Sequence, residues 1–113
     1  LTLKVFDLND LVAETQRILV RTLGEDIRLE SDLGPGPMGV KADPARIQQV
    51  LVNLAINARD AMPDGGFLRF ITRVHRVENF DRDGLLGEMA REPEAGLYPQ
   101  SYRCQLQSVL LPY

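Results

Sequence analysis

The stretch from Asp43 to Gly66, D-P-A-R-I-Q-Q-V-L-V-N-L-A-I-N-A-R-D-A-M-P-D-G-G, constrains the fold more than any other part of the chain. Both of its ends are marked. Asp43 suits the N-cap of a helix, because its carboxylate can accept from the free N–H groups of the first turn, and Pro44 fits the first helical position, where no N–H partner is needed. Pro63, Asp64, Gly65 and Gly66 stop the helix. Between these ends Ile47, Val50, Leu51, Leu54, Ala58, Ala61 and Met62 recur at steps of three and four, which predicts one apolar side. Burying each large member is worth roughly 1.5–3 kcal/mol, an upper figure before chain entropy is counted.

A second stripe on the same helix is polar: Arg46, Gln49, Asn53, Asn57 and Asp60. Asparagine is a mediocre helix former. Two asparagines one turn apart beside an apolar face suggest a site. A solvated face with two incidental amides is the other reading, and spacing leaves both open.

The segments before this helix read as a regular succession. Residues 2–6, T-L-K-V-F, alternate as a short strand. Asp7 can cap a helix whose apolar side is Leu8, Leu11, Val12, Thr15, Ile18, Leu19 and Leu23, with Asp10 favourable in the first turn and Gly24 as its stop. D-I-R-L-E-S, around Ile27 and Leu29, is a second strand. Gly34-Pro35-Gly36-Pro37 is a turn or loop, without the lysine–hydroxyl pair of a phosphate-binding loop. Met38 to Ala42 form a third strand that delivers the chain to Asp43.

After the glycine pair, F-L-R-F-I-T-R-V-H-R-V reads as a long strand, with Leu68, Phe70 and Val74 toward the helices and Arg69, Arg73 and His75 opposite. Residues 78–97 are polar, with a short helix possible over Leu85 to Arg91. Tyr102 to Gln107 alternate and suggest one more strand.

Composition bounds the function. The chain has 113 residues, 44% hydrophobic and 26% charged, ordinary usage for one small globular domain. A formal net charge of −3 supplies no basic field for nucleic acid or anionic lipid. The single cysteine, Cys104, allows no internal disulfide and fits a reducing compartment. No apolar run approaches a membrane span, so no membrane contact is expected of this segment. The chain opens on Leu1, as expected of a piece of a longer protein.

N-L-A-I-N-A-R-D-A-M-P-D-G-G, preceded by D-P-A-R-I-Q-Q-V-L-V, closely resembles the N-box of sensor histidine kinases, within the wider GHKL group of ATPases that share the Bergerat fold. The resemblance is long and gap-free and extends over residues 1–75. It implies an α/β two-layer sandwich (α+β) in the order β-α-β-β-α-β. Residues 76–113 then read as a divergent or truncated tail of the same domain.

It also implies a site. Asn57 would be the Mg²⁺ ligand, offering its amide oxygen to an ion that also holds the ATP phosphates. Asn53 would lie beside the phosphates as the catalytic position. Where hydrolytic relatives carry a glutamate that activates water, an amide cannot accept a proton, so phosphoryl transfer to a protein side chain is favoured over hydrolysis. Asp60 would touch the nucleotide through water.

The implied cofactors are therefore Mg²⁺ and ATP. The implied partners are a dimerisation and phosphoacceptor domain and a response regulator, in a two-component phosphorelay. The implied setting is the cytoplasm, with any membrane anchor elsewhere in the parent. His75, the only histidine, is followed by Arg76 inside a strand and lacks the setting of a phosphoacceptor.

The tail departs from the pattern. In the family the strand at this point leads into D-x-G-x-G, whose aspartate holds the adenine amino group. Ser108 to Tyr113 contain neither aspartate nor glycine, and no second glycine box or lid follows. The chain on its own is therefore expected to be inactive. Two other functions are weighed: an interaction module on the same half-fold that binds no nucleotide, and, disfavoured by Asn53, a GHKL ATP hydrolase. An uncovered sheet edge and helix layer predict a loosely packed monomer or self-association.

Overall fold

A computed structural model of the chain describes residues 1–76 and 102–113. The short helix expected over 85–91 lies outside these residues. The elements run β1 (Lys4–Asp7), α1 (Leu8–Leu23), β2 (Ile27–Asp32), β3 (Gly39–Ala42), α2 (Pro44–Ala61), β4 (Gly66–Arg76) and β5 (Tyr102–Pro112). This is an α+β arrangement with mixed strand directions, as the order of sequence patterns predicts.

The strands form two sheets. β1 and β3 pair antiparallel, Lys4 opposite Ala42 and Asp7 opposite Gly39. β2 pairs parallel with β4, Ile27 opposite Gly66, and β4 pairs antiparallel with β5, Gly66 opposite Pro112. A parallel pair needs a long crossover, and β3 with α2 supplies it. β4 is the central strand. Leu68, Phe70 and Thr72 are fully buried on the side of the helices. Arg69, Arg73 and His75 alternate with them on the other face, as period-2 geometry requires.

α1 and α2 lie side by side and run in the same direction. Leu11, Glu14, Pro44 and Gln48 flank one cleft near their starts, and Leu23 and Met62 flank another near their ends. Leu8, Val12, Thr15, Leu19 and Leu23 of α1 are buried. Ile18, placed on the apolar side by spacing, is exposed.

The buried arc of α2 also departs from the spacing. Leu51, Ala55 and Ala58 are buried, continued by Met62, while Val50 is 46% exposed and Ala61 is exposed. Val52, outside the expected face, packs against the core. The cause is tertiary. α2 lies on the sheet beside α1, so the buried arc is centred on 51, 55, 58 and 62, Ile47 and Leu54 pack at its margin, and Val50 and Ala61 fall outside it.

β5 is longer than its alternation suggests. The run Val109-Leu110-Leu111 breaks the period of two, yet every residue from Tyr102 to Pro112 has a partner on β4. Register with a long neighbour extends the strand. The tight entry to β4 rests on Gly65, at φ 89°, where a Cβ would stand 2.5 Å from the Asp26 carbonyl oxygen.

Candidate functional site

α2 presents the polar stripe, and its local chemistry explains why the helix forms there. Asp43 Oδ1 accepts from the Ala45 N–H at 3.1 Å, and Asp43 Oδ2 accepts from the Thr2 N–H at 3.1 Å. These bonds, led by that from Thr2, hold the Asp43 carboxyl below its ordinary value of 3.8, although desolvation opposes them. Pro44 occupies the first helical position. The helix ends at Met62, whose N–H donates to the Arg59 carbonyl at 3.2 Å.

Arg46, Gln49, Asn53, Asn57 and Asp60 are all exposed. At about 100° per residue they fall on an arc nearly opposite Leu51, Ala55, Ala58 and Met62. The stripe therefore faces away from the core along the length of the helix. Gln49 Nε2 donates to Asn53 Oδ1 at 3.0 Å, which orients the Asn53 amide and leaves its NH₂ as the free end. Asn57 stands one turn further on.

Asp60 is placed differently from the two asparagines. It lines a cleft of about 390 Å³ at the C-terminal end of α2, together with Arg59, Met62, Pro63, Leu23, Asp26 and Ile27. Arg59 Nε lies 3.8 Å from Asp60 Oδ1. Asp26 brings a second carboxylate to this cleft, which sequence reasoning missed. Its position on the turn before β2 carries no periodic signal, and only the approach of that turn to the end of α2 pairs it with Asp60. Neither Asn53 nor Asn57 lines this cleft, the cleft at the helix starts, or the one beside β2 and Tyr113.

Among the described residues no three histidine, cysteine or acidic side chains gather as a metal-binding group. The stripe offers amide oxygens on an open face, a donor set that suits a cation keeping most of its own water and unsuited to a closed protein cage. His75 lies across the sheet from this stripe, its Nε2 bonded to Gln105 Oε1 at 2.6 Å on the face away from the helices.

No family model matches the chain. Over 70 residues it is 49% identical to the sensor kinase CckA of Brucella abortus (strain 2308). The match takes in 62% of this chain but 7% of that protein, so the chain spans a small part of the length of the relative. That similarity supports a fragment related to sensor kinases.

Proposed function

We infer that the chain is a fragment of the Mg-ATP-binding region of a two-component sensor histidine kinase. The parent would transfer the γ-phosphoryl group of ATP to a histidine on a neighbouring dimerisation domain, and a response-regulator aspartate would then receive it. One observation carries the reading: Asn53 and Asn57 stand one turn apart on the outward side of a capped helix, in a chain 49% identical over 70 residues to a sensor kinase.

The chemistry follows from the amides. Mg²⁺ takes few protein ligands and leans on water and phosphate oxygens, so the single exposed oxygen of Asn57 suits it. Asn53, with its oxygen engaged by Gln49, would offer its NH₂ to a phosphate oxygen. Neither amide is a base at neutral pH, which disfavours activation of water and so the hydrolase reading. Asp60, at the end of the stripe, would act through water. This work belongs to the cytoplasm, where ATP is. Among the described residues no helix is long and apolar enough to cross a membrane.

Titration with Mn²⁺ and ATP, followed by NMR, tests the reading. Paramagnetic broadening should reach the side-chain amide signals of Asn53 and Asn57 first, and Asn57→Ala should remove it. Broadening centred on Asp26 and Asp60, or spread evenly over acidic residues, would sink the assignment.

A second reading is favoured by one observation, that neither asparagine lines any of the three clefts described above among the described residues. The same half-fold would then serve as an interaction module without nucleotide. It predicts no selective broadening at all.

A further inference from the structure

α2 carries two glutamines side by side, and their amides go to different places. Gln48 is half-buried on the side of α1, and its Nε2 donates to Thr15 Oγ1 at 3.4 Å, so it ties the two helices together. Gln49 is exposed and lies far round the helix from the buried arc of Leu51, Ala55 and Ala58. It packs no core. Its side chain runs along the helix surface instead, where Nε2 donates to Asn53 Oδ1 at 3.0 Å. That is the four-residue spacing at which helix side chains meet. Arg46, the preceding member of the polar stripe, turns the other way, with its Nε 3.9 Å from Asp43 Oδ2.

The bond from Gln49 has a direction, and the direction carries chemistry. A side-chain amide accepts at its oxygen and donates at its nitrogen. Half a turn about the last torsion exchanges the two ends. Beside a triphosphate one orientation donates to the anion, and the other sets oxygen against oxygen. By engaging Oδ1, Gln49 selects the orientation in which the N–H groups of Asn53 are left for a phosphate.

We propose that Gln49 is a positioning residue for the site on α2: its bond to Asn53 makes Asn53 a phosphate donor and leaves the metal to the oxygen of Asn57. This rests on the Mg-ATP reading above and adds a division of labour to it. Two like amides one turn apart would otherwise compete for both tasks. The neighbouring glutamine, committed to α1, takes no part.

The size of the effect is bounded. An unconstrained amide divides itself between two orientations, and the apparent dissociation constant scales inversely with the competent fraction. Losing the Gln49 bond therefore weakens binding by no more than about two-fold. Reversing the orientation costs more. A carboxylate at position 49 only accepts, and a charge-assisted bond is roughly twice as strong as a neutral one. It would draw the Asn53 NH₂ to itself and turn Oδ1 toward the phosphates.

Gln49→Met and Gln49→Glu, each made in the full chain and again with Asn53→Ala, test the proposal. Gln49 is exposed, so both variants should keep the wild-type thermal transition. Without ligand, NMR relaxation of the Asn53 side-chain nitrogen should show a freer amide in Gln49→Met than in the wild type. Unchanged relaxation overturns the proposal, whatever ATP does. With Mn²⁺ and ATP, Gln49→Met should raise the dissociation constant by up to about two-fold, and Gln49→Glu by roughly three-fold or more. In the Asn53→Ala background Gln49→Met should change nothing, and the effect of Gln49→Glu that remains there is that of its charge alone. A Gln49→Glu effect of equal size in both backgrounds overturns the proposal, because Gln49 would then not act through Asn53. Absence of Mn²⁺-ATP broadening at Asn53 and Asn57 in the wild type overturns the Mg-ATP reading and the role of Gln49 with it, while the relaxation data still report the orienting bond by itself.

Discussion

α1 and α2 lie together on one face of the same sheet and begin in the same way, yet they are fastened differently. Each starts on an aspartate that accepts from the N–H two residues on, Asp7 from Asn9 at 2.9 Å and Asp43 from Ala45 at 3.1 Å. Asp7 also accepts from the Met38 N–H at 3.2 Å, and Asn9 enters a closed ring. Asn9 Nδ2 donates to the Gly34 carbonyl at 2.9 Å, the Gly34 N–H donates to Thr72 Oγ1 at 2.9 Å, and Thr72 Oγ1 donates to Asn9 Oδ1 at 2.7 Å.

The start of α1 is thereby tied to a loop and to the central strand, with Thr72 fully buried. Among the described residues, the start of α2 has only the Thr2 N–H from outside, in an exposed position. One capping rule thus serves two ends. A helix locked at its polar start has little surface to spare there. A helix held mainly by its apolar arc keeps a whole polar face for other chemistry, and α2 uses that face for its amides.

The largest test of this contrast is packing. Leu19 of α1 and Leu51 of α2 are both essentially without exposure. Leu19→Ala and Leu51→Ala should each cost about 2–5 kcal/mol in urea unfolding. A markedly cheaper Leu51→Ala would show that α2 is not held by its arc, and the comparison would break.

Next comes the ring. Thr72→Val keeps the shape but leaves the Gly34 N–H and Asn9 Oδ1 without their partner, at about 1–3 kcal/mol. The same measurement reads it, and a neutral result would mean that the ring does not fasten α1.

The caps give a smaller effect. Asp7→Ala should cost about 1–2 kcal/mol, and Asp43→Ala less, because Asp7 serves two part-buried donors. Equal costs would remove the distinction between the two starts.

Acid titration sharpens it further. The folded pKa of Asp43 lies below its ordinary 3.8, so its contribution is complete above that value and is lost as pH falls through the folded value. The stability difference between wild type and Asp43→Ala should therefore shrink as pH is taken below about 3.8. A difference that grew toward acid pH would contradict the geometry.

The smallest effect is expected on the free face. Asn57→Ala at an exposed helix position should move stability by no more than about 0.5 kcal/mol. That leaves any loss of Mn²⁺-ATP broadening attributable to the site itself.

Much of this was legible beforehand because it is local. Asp43-Pro44 and Pro63-Asp64-Gly65-Gly66 bracket α2 by chain geometry alone, and alternation placed Leu68 and Phe70 inward and Arg69 and Arg73 outward on β4. The polar stripe was legible too, since three- and four-residue steps put Asn53 and Asn57 on one side of any helix. The inclusion of Val50 and Ala61 in the apolar face failed because periodicity gives a direction for the face and not its width. The neighbouring helix sets the width. The cleft shared by Asp26 and Asp60 was illegible because Asp26 carries no periodic or capping signal, and only the fold brings its turn to the end of α2.

The order of elements, the points where helices begin and end, and the alignment of the two amides were determined by the amino-acid sequence, because each depends on residues within a few positions of one another. The tertiary structure decided which arc of α2 is buried, how far β5 runs, and that Thr72 closes a ring with Asn9 from 63 positions away. Those outcomes rest on contacts between distant segments, and their energies exist only once the layers have met.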